Sequence, residues 1–482
     1  GISFFRKRAF HVSGASHPFA APGIACGKRG DRVKAKTKFI VSVAFSVVWL
    51  AVSLLFARRW AEAVSEFLPA AYVWWVIFGI ALLPGFLMSA MLVSTLLNRS
   101  LPGLRRTSMP VTILMSAHNE EAGIARAIRS VFAQTYAGRI RLIVIDNGST
   151  DGTACVVKNL CAEAPAGRTL ELVFCRRAGK SNALNKGLAM VRTPYFLTLD
   201  ADTVLEKTAV QNLMNHITAR GSVCAAGNLF VGNGGSSIIA SMQTYDYLLS
   251  IAAIKRYQGS YGSTLVAQGA FSAYETCAVR EAGGWEECMG EDIVLTYRLL
   301  STGRTSSYEP RAVAYTDVPE SLGGFFRQRK RWAMGMFEGL AAVPPRRQPS
   351  FYARWFTRVN LAVIALDLAY VTGFIPGVIL ALCGHPWFVG ILTLLMLAVN
   401  AAIYFTLYRF QRSLGIPFAR PLGGFLLFLF FFQPLQSTAA LAGYIAHLSG
   451  RGRGRWRGRT PFETCRPPGR FRPAQAAVFF AL

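Results

Sequence analysis

Residues 195–202 read Tyr-Phe-Leu-Thr-Leu-Asp-Ala-Asp, an apolar run that ends in two carboxylates separated by one residue. A short apolar run of this kind predicts a buried β-strand, and ligands of open α/β sheets bind beyond the carboxyl ends of such strands. Asp200 and Asp202 should therefore emerge where a ligand binds. Two carboxylates at this spacing suit a divalent cation together with substrate phosphates, although the same pattern also occurs in plain turns and helix caps.

Three more strands are predicted upstream, and helical patterns separate them. The strands cover residues 111–116, 142–145 and 170–174. Repeated alternation of strand and helix predicts a parallel sheet of the doubly wound type. Asp146 ends the second strand, so it should lie at the same edge of the sheet as Asp200.

Polar residues that suit nucleotide chemistry follow these strands. Asp146 begins the segment Asp-Asn-Gly-Ser-Thr-Asp-Gly, which fits either a hydrogen bond to a uracil or ribose edge or an ordinary turn and helix cap. Lys180 lies in a basic, amide-rich helical stretch and offers a point charge for a diphosphate. Asp292 follows Gly290-Glu291 at the predicted start of a helix, where a carboxylate acts as a general base or simply as a cap.

A basic helix is predicted around residues 327–332, Arg-Gln-Arg-Lys-Arg-Trp. Gln328, Arg331 and Trp332 are spaced to share one face of it. Its apolar residues recur near the helical period, which is typical of a helix at a membrane surface. An interfacial anchor is the simplest interpretation of this helix when it is taken alone.

The composition, 52% hydrophobic and 16% charged, is that of a membrane protein. Each apolar run approaches or exceeds the roughly 20 residues that cross a bilayer. The runs are residues 39–57, 70–97, 361–383, 387–407 and 422–448. Five crossings would leave the basic carboxyl-terminal tail outside, against the positive-inside rule. The alternatives are a fourth crossing in the late set, a re-entrant turn at Gln433-Pro434, or a basic tail that is translocated despite its charge.

The net charge of +27 raises the alternative of nucleic-acid binding. Membrane topology explains the charge better, because Lys and Arg cluster before the first run, after the second, before the third and after the fourth. We expect no nucleic-acid partner. The pattern predicts a multi-pass protein of the plasma (inner) membrane whose soluble segment is cytoplasmic.

Together, these residues resemble the processive membrane synthases of glycosyltransferase family 2, which make cellulose, chitin, hyaluronan and poly-N-acetylglucosamine. The matching motifs are Asp146 in Asp-x-Gly-Ser-Thr-Asp, Lys180, Asp200-Ala201-Asp202, Glu291-Asp292, and Gln-x-x-Arg-Trp at 328–332. The resemblance implies a cytosolic GT-A (Rossmann-like) domain at 99–318 and an interface helix within 319–350. It also implies two transmembrane helices in 39–97 and three or four in 359–448, between a basic tail, 1–38, and an Arg/Pro/Gly-rich tail, 449–482.

The resemblance also implies a role for each motif residue. Asp292 would be the general base, Glu291 and Trp332 would contact the acceptor, and Asp202 would bind Mg²⁺ or Mn²⁺. The residues implied to bind the nucleotide are Asp146, Lys180, Asp200, Asp202, Gln328 and Arg331.

The implied reaction is inverting, processive synthesis of a β-linked polysaccharide from a UDP-sugar, with export through the bilayer. The implied partners are the UDP-sugar donor, the growing polysaccharide, the lipid bilayer and, as an open option, an accessory membrane or periplasmic export subunit. Residues 267–272 lack the Phe-x-Cys-Gly pattern of cellulose synthases, and the Gly-Glu-Asp context favours N-acetylglucosamine. The alternatives are a non-processive enzyme that adds one sugar to a lipid, and a transporter or scaffold that retains a nucleotide-binding fold.

Overall fold

The structure is a computed structural model that describes residues 34–98, 101, 103–385, 391–416 and 422–449. Most of the two predicted tails, and the start of the apolar run at 387–407, lie outside the described residues.

A mixed sheet forms the centre of the soluble segment. Its strands are β1 (Val111–Ala117), β2 (Ile140–Asp146), β3 (Arg168–Phe174), β4 (Tyr195–Asp200), β5 (Val204–Leu205), β6 (Cys224–Val231), β7 (Phe271–Glu275) and β8 (Ser306–Thr316). Their order across the sheet is β3-β2-β1-β4-β7-β6-β8-β5. All four strands predicted from the sequence are present.

The prediction of a parallel sheet is correct for one half and wrong for the other. Strands β3, β2, β1 and β4 are mutually parallel, whereas β7 runs antiparallel to both β4 and β6. The chain between β6 and β7 forms a long helix at 238–259 and returns to the sheet in the opposite direction. The predicted α/β class stands, and the sheet is mixed.

The strand register brings two predicted carboxylates to one edge. Ala117 at the end of β1 pairs with Asp146 on β2, and Ser116 pairs with Asp200 on β4. Both acids are the last residues of their strands. They therefore flank β1 at the carboxyl edge, as expected for parallel neighbours.

Helices cover the sheet and continue beyond it. In chain order they are α1 (Ala35–Val64), α2 (Ala70–Leu96), α3 (Ile124–Phe132), α4 (Thr153–Leu160), α5 (Lys180–Met190), α6 (Ala209–Arg220), α7 (238–259), α8 (Thr276–Glu281), α9 (Glu291–Ser301), α10 (Leu322–Ala342), α11 (Phe351–Leu382), α12 (Ile391–Ser413) and α13 (Gly423–Leu448). Apolar side chains pack on both faces of the sheet, for example Leu197 on one face and Phe196 on the other.

Within the described residues, four helices are long and apolar enough to cross a membrane: α1, α2, α11 and α13. They correspond to four of the five predicted apolar runs, and α11 begins ten residues before the run that predicted it. Helix α12 covers most of the remaining run, residues 387–407. Asp367 on α11 accepts hydrogen bonds from Ser437 (2.7 Å) and Tyr444 (2.6 Å), which tie α11 to α13.

A proline lies within each of α2, α11 and α13, at Pro84, Pro376 and Pro434. Each is preceded by a π-helical turn, at Phe78–Leu82, Tyr370–Phe374 and Phe428–Phe432. Proline lacks an N–H and crowds the carbonyl of the preceding turn, and a local π turn relieves both problems. Helix α13 therefore continues through Gln433-Pro434, where the sequence suggested a re-entrant turn.

Helix α7, which the sequence analysis did not identify, joins the soluble segment to the apolar helices. One core cluster contains Phe230 of the sheet, Tyr245 of α7, Phe325 of α10 and Phe432 of α13. Because these side chains share one core, the carboxyl half of the sheet, α10 and α13 pack as one unit.

Candidate active site

Lys180 lies between two of the predicted site carboxylates. Its Nζ is 2.6 Å from Asp200 Oδ1 and 3.8 Å from Glu291 Oε1. Burial lowers the pKa of Lys180, but the charges of Asp200 and Glu291 outweigh burial and raise it above its usual value. A Cβ at Gly269 would lie only 2.9 Å from Lys180 Nζ, so a larger residue there would force the end of the Lys180 side chain to move. Lys180 is therefore a cation at the carboxyl edge.

Asp202 is fixed by two hydroxyl groups. Its Oδ1 accepts hydrogen bonds from Thr203 (3.0 Å) and from Thr316 (3.3 Å), the last residue of β8. Burial, followed by the charge of Asp200, raises the pKa of the Asp202 carboxyl. A nearby cation would relieve this repulsion between carboxylates.

Glu120, which the sequence analysis did not select, belongs to the same group. It lies in the loop after β1, and its backbone N–H donates to Thr153 Oγ1 at 2.8 Å. Burial raises its pKa to about 7, and the charges of Asp202 and Asp200 contribute. The signal in the sequence is the position of Glu120, three residues after the end of the central strand β1.

The carboxylates fit a divalent cation that is shared with substrate. The described residues hold no arrangement of three or more His, Cys, Asp or Glu side chains suited to a metal. Mg²⁺ is commonly bound by one or two carboxylates plus phosphate oxygens and water. Asp202 fits this role, because its second carboxylate oxygen is not used by the two threonines.

Asp146 and Asn147 shape the loop beside β2. The Ser149 N–H donates to Asp146 Oδ1 at 2.9 Å, and the Asp146 side chain is buried. Asn147 donates to the Arg177 carbonyl (2.8 Å) and accepts from the Gly179 N–H (2.7 Å). Asn147 therefore holds the segment that leads into Lys180, a role that its amide performs with a donor and an acceptor at once.

The amide-rich helix α5 positions the loop before α9. Ser181 Oγ donates to the Glu286 carbonyl at 2.7 Å. The Asn185 side chain accepts from the Trp285 N–H at 2.9 Å and donates to the Trp285 carbonyl at 2.7 Å. The polar residues of α5, apart from Lys180, thus act on the backbone of the protein.

Asp292 and Glu291 occupy the first turn of α9. The Gly269 and Ile293 N–H groups donate to the two carboxylate oxygens of Asp292, at 3.2 and 2.8 Å. Burial raises the pKa of Glu291 to about 7; the charge of Lys180 lowers it and that of Asp292 raises it. The structure thus joins Asp200, Lys180, Glu291 and Asp292 into one charged group.

Lys255 on α7 is a second residue that the sequence analysis missed. It is buried, and burial lowers its pKa to about 7, while the charge of Asp292 opposes this shift. No ion-pair partner lies within 4 Å of it in the described part of the chain. Nothing in the pattern of the sequence distinguishes this lysine from a surface residue.

Helix α10 docks directly on the start of α9. A Cβ at Gly290 would lie 2.4 Å from the Cα of Gly335, so the two backbones touch. Glu338 Oε2 accepts from the N–H groups of Met289 (2.8 Å) and Gly290 (3.0 Å). These contacts fix α10 beside Glu291 and Asp292.

The three motif residues of α10 differ in exposure. Arg331 is exposed, Gln328 is half-buried with Oε1 lacking a hydrogen-bond partner, and Trp332 is 36% exposed. The Trp332 ring lies 6.4 Å from the ring of Tyr247. Neither Gln328 nor Arg331 makes a hydrogen bond or ion pair with the site carboxylates across the described ranges.

Comparison with known proteins identifies the class. Residues 112–282 match the Glycosyl transferase family 2 description. Residues 112–282 are thus similar to glycosyltransferase family 2, as the motifs predicted, and this segment carries Asp146, Lys180, Asp200 and Asp202.

Two individual relatives are similar to more of the chain than the family description covers. The poly-beta-1,6-N-acetyl-D-glucosamine synthase of Staphylococcus aureus (strain COL) is 32% identical over 273 residues, which cover 54% of this chain and 64% of the relative. The protein of the same name from Staphylococcus epidermidis is 32% identical over 232 residues, covering 48% and 55%. The chain thus spans less than two thirds of the length of these curated relatives.

Among solved structures, the mannosyltransferase PcManGT from Pyrobaculum calidifontis, in complex with GDP-Man and Mn²⁺, aligns with a TM-score of 0.49 at 16% identity. The alignment covers 86% of this chain and 99% of that one.

Proposed function

We propose that the chain is a processive, inverting glycosyltransferase that polymerises UDP-N-acetylglucosamine into a β-linked polysaccharide and moves the product across the membrane. The observation that carries this proposal is the docking of α10 on α9, Gly335 against Gly290. It joins the helix with Gln328, Arg331 and Trp332 to the charged group around Asp292.

For the donor, the proposal assigns the diphosphate to Lys180, Asp202, Gln328 and Arg331. Lys180 and Arg331 supply positive charge, and Arg331 is exposed and therefore free to reach a ligand. Asp146 and Asp200, with Lys180, bind the remaining nucleotide. A divalent cation held by Asp202 would stabilise the charge that grows on the departing diphosphate.

For the transfer step, the proposal assigns the base to Asp292. An acceptor hydroxyl oxygen attacks the anomeric carbon, and the bond from that carbon to the phosphate oxygen breaks. UDP leaves with the bonding electrons, and the hydroxyl proton moves to the Asp292 carboxylate. A single displacement of this kind converts an α-linked donor into a β-linked product.

For the acceptor, the proposal is that the sugar stacks on Trp332 and makes a polar contact with Glu291. Helix α10 also packs on α13, since a Cβ at Gly443 would lie 2.6 Å from the Lys330 carbonyl oxygen. Helix α10, which carries Trp332, therefore lies between α9, which carries Asp292, and the apolar, membrane-length helix α13. A product that leaves the site along α13 would enter the membrane directly.

For the sugar, the proposal follows the two staphylococcal relatives, whose names specify N-acetylglucosamine. For location, it follows the basic residues that flank the apolar runs, which favour a multi-pass protein of the inner membrane with a cytoplasmic catalytic domain.

The test is UDP release by the detergent-solubilised protein with Mg²⁺ or Mn²⁺. UDP-N-acetylglucosamine, UDP-glucose, UDP-glucuronate and UDP-galactose are compared, and the Asp292→Asn variant is the control for contaminating activity. We expect release from UDP-N-acetylglucosamine together with a long polymer. Transfer of a single sugar to a lipid, or a different preferred donor, would contradict the proposal.

A further inference from the structure

A buried ion pair joins α7 to α10. Asp246 Oδ2 lies 2.7 Å from Arg329 Nη2, and the two side chains are 5% and 3% exposed. Arg329 lies between Gln328 and the Arg331-Trp332 pair in sequence, but its side chain points into the protein, whereas that of Arg331 is exposed.

A pair buried this deeply needs an explanation beyond stability. Removing two charges from water costs several kcal/mol per ion, and apolar replacements of similar volume are often as stable or more so. In some proteins a buried pair of this kind specifies one arrangement of the groups around it.

The groups around this pair are aromatic. The centre of the Arg329 guanidinium lies 4.2 Å from the Trp332 ring, 5.1 Å from Phe325 and 5.5 Å from Phe432. Arg329 Nη2 makes no directed hydrogen bond despite its proximity to Asp246. The carboxylate thus supplies charge, and the guanidinium supplies a face on which Trp332 packs through a cation–π contact.

A second ring stands opposite Trp332. Tyr247 follows Asp246 in sequence, and its ring lies 6.4 Å from that of Trp332. Burial raises the pKa of Tyr247; Arg329 opposes this shift, and Asp246, Asp202 and Asp200 add to it. Tyr247 is therefore within electrostatic reach of both the ion pair and the carboxylates at the sheet edge.

We propose that Asp246 and Arg329 are positioning residues that hold the exposed Trp332 ring, packed against the buried Tyr247 ring, as a platform for the acceptor sugar. This inference rests on the proposed function, because it takes Trp332 as the acceptor contact. With its inner face on the guanidinium, the partly exposed Trp332 ring keeps one orientation towards the acceptor. Without Arg329, the ring gains rotamers, and the acceptor must select the productive one.

The test removes both charges together. Asp246→Asn alone would leave Arg329 buried and unpaired, which endangers folding. The double variant Asp246→Leu/Arg329→Met avoids that problem. The matched control is Glu309→Gln, which removes another buried carboxylate, one that pairs with Arg311 at 2.7 Å, on the side of the sheet covered by α6.

The first readout is spectroscopic and does not depend on the reaction. The nine tryptophans are replaced biosynthetically by 5-fluorotryptophan, and the ¹⁹F resonance of Trp332 is assigned with Trp332→Phe. We expect the double variant to shift or broaden this resonance and Glu309→Gln to leave it unchanged. An unchanged resonance in the double variant overturns the positioning role.

The second readout separates donor from acceptor. We expect UDP release by hydrolysis to stay at the wild-type rate, while the KM for an oligosaccharide acceptor rises about tenfold, the effect of losing one cation–π contact. Elongation at the wild-type KM overturns the proposal. Should the double variant not fold, Arg329→Lys keeps the charge but removes the planar face, and the same two readouts apply with the same expected directions.

The two proposals fail in different ways. If the wild-type protein makes no polymer, the proposed function is wrong, but a shifted Trp332 resonance in the double variant still supports the positioning role. If the wild type makes polymer and the double variant matches it in both readouts, only the positioning role is wrong.

Discussion

Gly290 and Gly335 are in backbone contact across the junction of α9 and α10. A Cβ placed on Gly335 would lie 2.7 Å from the Gly290 Cα and 3.0 Å from its nitrogen. Since Asp292 lies in the first turn of α9 and Trp332 lies on α10, this contact sets the distance between the proposed base and the proposed acceptor residue.

Replacing Gly335 with alanine should separate the two helices. We expect Gly335→Ala to cost about 1–3 kcal/mol of stability through overpacking and to reduce transfer more strongly than donor binding. The measurements are thermal unfolding, donor affinity and UDP release. Gly323→Ala in the same helix is the control, because its Cβ would meet only Arg327 Nη1 at 3.5 Å. Equal effects of the two substitutions would show that the contact between Gly290 and Gly335 does not set the geometry of the site.

Replacing Asp292 with asparagine should stop the chemical step. The amide cannot accept the proton of the acceptor hydroxyl, so we expect transfer to fall by about 10²–10⁴-fold, with donor affinity retained. Calorimetric titration with UDP and a turnover assay measure the two quantities on one sample. Turnover close to that of the wild type would exclude Asp292 as the base.

Replacing Asp202 with asparagine should abolish metal-dependent donor binding. Its free carboxylate oxygen is the proposed ligand, so we expect UDP to bind Asp202→Asn equally weakly with Mn²⁺ or with EDTA. Asp317→Asn is the control, because this nearby acid pairs with Arg126 at 3.0 Å and is partly exposed. A metal response retained in Asp202→Asn would contradict the assignment.

Glu291 should make stability depend on pH. Its pKa is about 7 in the folded protein, against about 4.3 for an unperturbed glutamate. Between these values the folded state holds a proton that the unfolded state has released, so ionisation destabilises the fold as the pH rises. We expect Glu291→Gln to raise the unfolding temperature relative to wild type at pH 8 more than at pH 5. Glu163→Gln, at an exposed position, is the control. A difference in unfolding temperature between Glu291→Gln and wild type that is the same at both pH values would refute the raised pKa of Glu291.

Replacing Trp332 with alanine should block elongation and spare donor hydrolysis. The ring is proposed to orient the acceptor and to make no contact with the donor. Trp74→Ala is a control of similar exposure, 37% against 36%, on the membrane-length helix α2. Product sizes measured by gel electrophoresis distinguish the two. A polymer of normal length from Trp332→Ala would reject the acceptor role.

The sequence predicted correctly that Asp146 and Asp200 lie at one edge of the sheet, because local patterns decide where strands end. Asp146 and Asp200 end apolar strands, and parallel neighbours necessarily share an edge, so their proximity followed from the strand predictions. The apolar helices were predictable for the same reason, because length and composition alone define them.

The remaining features depend on long-range packing. The antiparallel direction of β7 depends on the path of the chain through α7, which the local sequence does not reveal. Glu120 and Lys255 have no distinctive neighbours in sequence, and their altered pKa values arise from groups brought together by folding. Pro434 suggested a break, but the preceding π turn accommodates it within a continuous helix.

The size distribution of the product over time, at low enzyme and excess acceptor, tests the central claim most directly. A processive synthase with acceptor contacts on α10 should produce full-length β-linked chains from UDP-N-acetylglucosamine at the earliest times, while most acceptor stays unextended. A population in which every acceptor gains one sugar before any gains a second would contradict it.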